Sequence, residues 1–126
     1  MVVEGLLYTE DHEWTKVEGD VATVGITDFA QEQLGEITFT ELPVVGSELK
    51  VHQELGVVES SKAASDVYSP VAGKVVEVNS ELESKPELIN EDCYGAGWIC
   101  KIKVADKAPI KKLMDASKYE EFLKSM

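Results

Sequence analysis

From residue 14 onward the chain alternates apolar and polar positions in short runs, each closed by a turn signal. Trp14 and Val17 lead through Glu18-Gly19-Asp20 into Val21, Val24 and Ile26. This pattern predicts a β-hairpin over 14–17 and 21–26. Residues 28–35 read instead as one short helix, with Asp28 capping its start, Gln31 completing the capping box and Gly35 taking the left-handed stop. Residues 37–40 alternate again until Pro43. Strand-like runs follow at 48–51, 55–59, 66–68 and 74–78. Residues 79–97 form a polar loop with one helical turn after Pro86, and 98–104 is a last alternating strand. The C-terminus reads as two helical pieces. The first carries Ile110, Leu113 and Met114 on one face. The second opens with a capping box at Ser117-Lys118-Tyr119-Glu120 and continues through Phe122, Leu123 and Met126. These apolar faces predict a lid packed on the strands. Many short strands with regular turns predict a mainly β fold, a sandwich or barrel. A loose internal echo, 46–51 against 73–78, suits two similar halves meeting at the turn between them.

That turn holds the chemistry. Val57-Val58-Glu59-Ser60 and Ser65-Asp66-Val67-Tyr68 bracket Ser61-Lys62-Ala63-Ala64. The β-preferring arms predict a hairpin, and the small residues at its tip leave the Lys62 amine uncrowded. Glu59 and Asp66 flank it as recognition charges. A rigid base with one accessible amine suits a swinging-arm carrier, in which a cofactor does the chemistry and the protein supplies placement. On composition alone an ordinary solvated lysine on an acidic loop is the favoured reading, and the symmetric setting of Lys62 shifts the balance toward the carrier.

At 126 residues, 44% hydrophobic and 29% charged, the chain fits one globular domain spanning 1–126, with a core over about 7–105 and a helical segment over 108–126. No apolar run approaches a membrane span and the N-terminus lacks a signal-peptide pattern, which places the expected location inside the cell. Net charge is −12, and with no arginine every cation is a lysine. This balance argues against nucleic acid and anionic membranes. It suits a small protein that visits several partners without sticking. Cys93 and Cys100 match neither a zinc nor a redox spacing; Cys100 falls on a core position and Cys93 in a polar loop. His12 and His52 lie far apart in sequence with no other ligand at metal spacing, and nothing marks an oriented catalytic base.

The segments Tyr8-Thr9-Glu10-Asp11-His12-Glu13-Trp14, Val24-Gly25-Ile26-Thr27-Asp28, Leu34-Gly35-Glu36, Glu41-Leu42-Pro43, Lys62-Ala63-Ala64-Ser65-Asp66, Tyr68-Ser69-Pro70 and Asn90-Glu91-Asp92 resemble the H protein family of the glycine cleavage system, in order and at family spacing. The resemblance implies a barrel-sandwich hybrid of the lipoyl/biotinyl type, with short helices after the first hairpin and at the C-terminus. It implies lipoate held as an amide on Lys62, with Glu59 and Gly73 helping the modifying enzyme. The implied role is that of a non-catalytic carrier. It takes the aminomethyl group of glycine from a pyridoxal-phosphate-dependent glycine decarboxylase (P protein) to a tetrahydrofolate-dependent aminomethyltransferase (T protein). It passes electrons to dihydrolipoamide dehydrogenase (L protein). A lipoate ligase or a lipoyl/octanoyl transferase would load it. The expected form is a cytoplasmic monomer, or a matrix one in a mitochondrial setting. A loaded arm that decomposes in water needs a resting place, and a cleft carboxylate could pair with its ammonium; Glu13 and Asp66 are the candidates. Three positions depart from the family pattern: Phe29 stands where histidine is frequent, Cys93 where proline is usual, and Ser61 where valine is common. A biotin carrier would place methionine on both sides of the lysine. A 2-oxoacid dehydrogenase lipoyl domain would continue into a linker and catalytic domain. A lipoyl-relay donor would use the same lysine.

Overall fold

The computed structural model describes residues 2–126. It is mainly β, with two open sheets facing one another and a few short helices at their edges. The larger sheet holds six strands: β1 (Leu7–Tyr8), β2 (Glu13–Glu18), β3 (Val21–Ile26), β9 (Cys100–Asp106), β8 (Ala72–Val78) and β5 (Glu48–Leu49), in that spatial order. The smaller sheet is β4 (Ile37–Glu41), β6 (Glu54–Ser60) and β7 (Ala64–Tyr68). All pairings are antiparallel. Inward positions of both sheets, among them Val24, Ile37, Val58, Val67, Val75 and Ile102, form one continuous buried core. The strand pattern of the sequence thus maps onto the sandwich, with each predicted strand present.

The echo between 46–51 and 73–78 is a pairing in space. Glu48 lies opposite Lys74 and Leu49 opposite Gly73, and Gly46 and Ser47 exchange backbone bonds with Val75. The similar segments are therefore adjacent strands of one sheet. The Lys62 turn lies in the other sheet.

Three local expectations need correction. Helix α1 (Asp28–Leu34) is capped by Thr27, whose hydroxyl accepts from the Ala30 N–H; Asp28 accepts from the Gln31 side chain instead. A threonine hydroxyl one residue earlier sits in the extended conformation that a cap requires. The predicted polar loop over 79–97 holds two four-residue helices, α2 (Glu81–Ser84) and α3 (Leu88–Glu91), where a single turn was expected. Each drives one side chain, Leu82 or Ile89, fully into the core. Asn79 closes this segment by donating to the carbonyls of Ala96 and Trp98. The final helix, α4 (Ala116–Lys124), is capped by Asp115 rather than Ser117, with the Asp115 carboxylate accepting from the Lys118 N–H.

The lid expectation holds. A 3-10 segment, Ala108–Lys112, leads into an isolated bridge between Met114 and Tyr8. Beyond it α4 packs a second, aromatic core. Tyr119 stacks on Tyr8 at 4.5 Å between ring centroids and 2° between planes. Its hydroxyl bonds both Thr27 Oγ1 and His12 Nδ1 at 2.8 Å. Phe29 lies 4.5 Å from the same imidazole, so this departure from the family pattern fills the aromatic cluster.

Candidate functional site

Lys62 stands at the tip of the β6–β7 hairpin. Arm register fixes that position: Val57 faces Asp66, Val58 faces Ser65 and Glu59 faces Ala64. Val58 and Val67 point inward and are 2% exposed, so the base of the hairpin is clamped in the core. The Ser60 hydroxyl accepts from the Lys62 and Ala63 N–H groups, and the Ser60 N–H donates to the Ala63 carbonyl. The turn is tied down by its own backbone while Ser61, Lys62 and Ala63 remain exposed. The α1–β4 junction passes alongside. A Cβ built on Gly35 would lie 3.3 Å from Lys62 Cε, in a backbone conformation of φ +84° that side chains rarely adopt. Asn90 secures this junction, accepting from the Ile37 N–H and donating to the Gly35 carbonyl and the Gln31 side chain, each at 2.8 Å. The surroundings fit an acylated lysine: Lys62 is exposed, and the backbone that passes its side chain at residue 35 is a glycine.

The second feature is a cleft of about 440 Å³ between the start of the chain's sheet and the C-terminal segment. Thr9, Glu13 and Tyr68 form its floor, Asp11 and His52 its rim, and Pro109, Leu113 and Met114 an outer wall. Glu13 is 2% exposed. One carboxylate oxygen accepts from the Thr9 hydroxyl at 2.6 Å and the other from the Tyr68 N–H at 3.1 Å. Burial pushes its pKa up to about 7, against those two hydrogen bonds. The cleft therefore has a carboxyl poised between neutral and charged, and among the described residues no lysine is paired with it. At the rim His52 Nδ1 faces Asp11 Oδ2 at 3.6 Å.

The structure brings some of the sequence-predicted residues together and separates others. Glu13 faces the cleft. Asp66 does not line it; it lies exposed on β7, crowding Glu54 and Tyr68, and its charge is the largest cause raising the pKa of both. Glu59 sits half-buried on β6 beside the turn. Gly73 lies in the other sheet, at the irregularity where β8 meets β9. A Cβ there would collide with the Lys103 carbonyl oxygen, so close strand packing is reason enough for glycine. Strand β7 connects the two features. Its first residues leave the Lys62 turn, and its last, Tyr68, donates to Glu13, a path of about 20 Å. Pattern reading missed Thr9, Tyr68 and Gly35, because a hydroxyl, a backbone N–H and a missing side chain leave no periodic signal.

The cysteines are plain core groups. Cys93 lies in the loop after α3, as expected, and is buried there, its carbonyl accepting from Trp14 Nε1 at 2.9 Å. Both thiols are free, and burial pushes each up to about 12. His12 is enclosed by aromatic rings and His52 is exposed at the cleft rim. No helix of the described residues is long and apolar enough to cross a membrane.

Residues 6–126 match the family described as Glycine cleavage H-protein. The chain is 56% identical to the glycine cleavage system H protein of Symbiobacterium thermophilum over 94% of its own length and 93% of that protein's. It is 52% identical to that of Parvibaculum lavamentivorans, covering 94% and 95%. A crystal structure of the glycine cleavage system H protein from Mycobacterium marinum superposes with a TM-score of 0.89 at 35% identity, covering 99% of this chain and all of that one. A chain with this sandwich, this lysine-tipped hairpin and these matches along nearly its whole length belongs to the glycine cleavage H-protein family of lipoyl carriers.

Proposed function

We propose that this chain carries lipoate as an amide on Lys62 and serves the glycine cleavage system as its shuttle. It would receive the aminomethyl group at the pyridoxal-phosphate-dependent decarboxylase and yield it to the tetrahydrofolate-dependent aminomethyltransferase. It would then return its electrons through dihydrolipoamide dehydrogenase. The observation that carries this reading is the hairpin: a backbone-tied turn that exposes one lysine between small residues, rooted by Val58 and Val67 in the core. When bound, the dithiolane supplies a disulfide able to accept a one-carbon amine unit and two electrons.

The chain's own residues place and protect that arm. Lys62 gives it a fixed origin, and Gly35 leaves its exit open. Glu13 offers a carboxylate to a cationic amine cargo in a cleft walled by Leu113 and Met114. Thr9 and the Tyr68 N–H hold that carboxylate in one orientation and support its charged form. Asp66, outside the cleft on β7, belongs to the surface beside the turn. Glu59 supports loading of the arm through the same surface, and Gly73 supports it by keeping the fold that presents the turn.

Reconstitution tests the reading. The lipoylated chain, mixed with the decarboxylase, aminomethyltransferase, tetrahydrofolate and dihydrolipoamide dehydrogenase, is expected to give glycine-dependent NADH formation. Lys62→Arg, which keeps the charge but offers no amine to acylate, is expected to abolish it. NADH formation at the same rate with Lys62→Arg would overturn the assignment.

A further inference from the structure

The outer face of the three-stranded sheet, of which Glu59 and Asp66 are part, carries a wider pattern that the cleft does not use. Register places Phe39, Glu59 and Ala64 in one cross-strand row and Glu41, Val57 and Asp66 in the next. Residues two apart on a strand share a face, so these six form one contiguous patch. Phe39 is 52% exposed, held on the outer face by its register opposite Glu59. Val57 is half-buried and lies diagonally beside it. Glu41, Glu59 and Asp66 surround this apolar centre, and Glu54 adds a fourth acid one step along β6. Asp66 raises the pKa of Glu54, the mark of negative charges held close together. No lysine lies in these two rows, and the patch runs directly into the Lys62 turn.

We propose that this face is the docking surface for the enzyme that acylates Lys62, and that the enzyme meets it with an apolar recess for Phe39 ringed by lysine and arginine. The choice of occupant rests on reach, and on the reading of Lys62 as the lipoyl site. Enzymes that act on a loaded arm need to reach only its far end. The acylating enzyme works at Nζ itself. It must bring the carbonyl of an acyl-adenylate or acyl thioester to about 3–3.5 Å from that atom. The Nζ–acyl bond then forms as the bond to phosphate or thiol breaks, and the displaced amine proton passes to solvent. An enzyme that close cannot avoid the surface beside the turn. An acidic, arginine-free patch calls for a basic counterpart, and an exposed aromatic ring at its centre has the character of an interface anchor.

The test uses the unmodified full-length chain with a lipoate ligase, lipoate and ATP. Phe39→Ser lies on the surface and should leave thermal unfolding within a few degrees of the parent. It is expected to raise the KM for the chain about tenfold or more with kcat little changed. Glu41→Lys is expected to lower kcat/KM and to flatten its dependence on salt. Once loaded, both variants are expected to be reduced by dihydrolipoamide dehydrogenase at the parent rate. Parent-like ligation kinetics in both variants would overturn the proposal, as would equal losses with ligase and dehydrogenase. Failure of the parent chain itself to be modified on Lys62 would instead count against the lipoyl reading.

Discussion

Burial separates Glu13 from every other acid of the described residues. Its environment predicts a pH signature with a definite sign. Its folded pKa, about 7, stands above the ordinary value of 4.5. Its contribution to stability is therefore fully present below pH 4.5 and is lost as pH rises through 7. The loss approaches about 3 kcal/mol at high pH. Glu13→Gln keeps both hydrogen-bonding partners in reach and removes the titration. Denaturant titrations should show the variant gaining on the parent between pH 5 and 8, and parallel curves would refute the assignment. Cargo holding should move the other way. Ionised Glu13 holds a cationic amine best, so the loaded arm of the parent should decay more slowly at pH 8 than at pH 6. The decay of Glu13→Gln should be fast at both. Sequence spacing does not single out Glu13 from its neighbours Glu10 and Asp11; the family resemblance and the adjacent Trp14 ring do. The cleft that distinguishes it is assembled from residues about 50 and 100 positions away.

At the scale of elements, strands were legible and caps were not. Alternation marks a strand because one face is buried and the other wet, and residues 21–24 met that condition, whereas in 37–40 a register shift after Ile37 left Phe39 exposed and buried Thr40. A cap depends on one side chain's conformation, so Thr27 and Asp115 took roles that Asp28 and Ser117 could equally have filled on residue type. Helices α2 and α3 are too short to show a period and exist because Leu82 and Ile89 are buried by the fold. Gly73 illustrates how a residue can be marked by family and explained by packing. Gly73→Ala should cost about 2–4 kcal/mol through overpacking and backbone shift, yet at low temperature the folded fraction should still be lipoylated. Loss of ligation by a folded Gly73→Ala chain would show direct contact with the modifying enzyme. The lid is testable by a single atom. Tyr119→Phe keeps the stack on Tyr8 but strips the hydroxyl from His12 and Thr27. It should cost about 1–3 kcal/mol, and an unfolding midpoint equal to the parent's would deny the hydroxyl that role.

Taken whole, the molecule is a rigid sandwich with two working features joined by one strand. Strand β7 leaves the Lys62 turn and ends by donating to Glu13, so the proposed origin of the arm and its proposed resting place share one structural element. The rest of the fold holds that strand still: core residues clamp its inward face, and the Met114–Tyr8 bridge sets the far wall of the cleft. The charge of −12 then acts over the entire surface, favouring encounters with basic partners while keeping copies of the chain apart. All of this depends on Lys62 being the residue that carries lipoate, and that can be read directly. The chain should be incubated with lipoate ligase, lipoate and ATP, digested, and mapped by mass. The account predicts one lipoyl-sized increment, on the peptide containing Lys62, and none on the other eleven lysines. An increment on a different lysine, or none while a control carrier is modified, would contradict it.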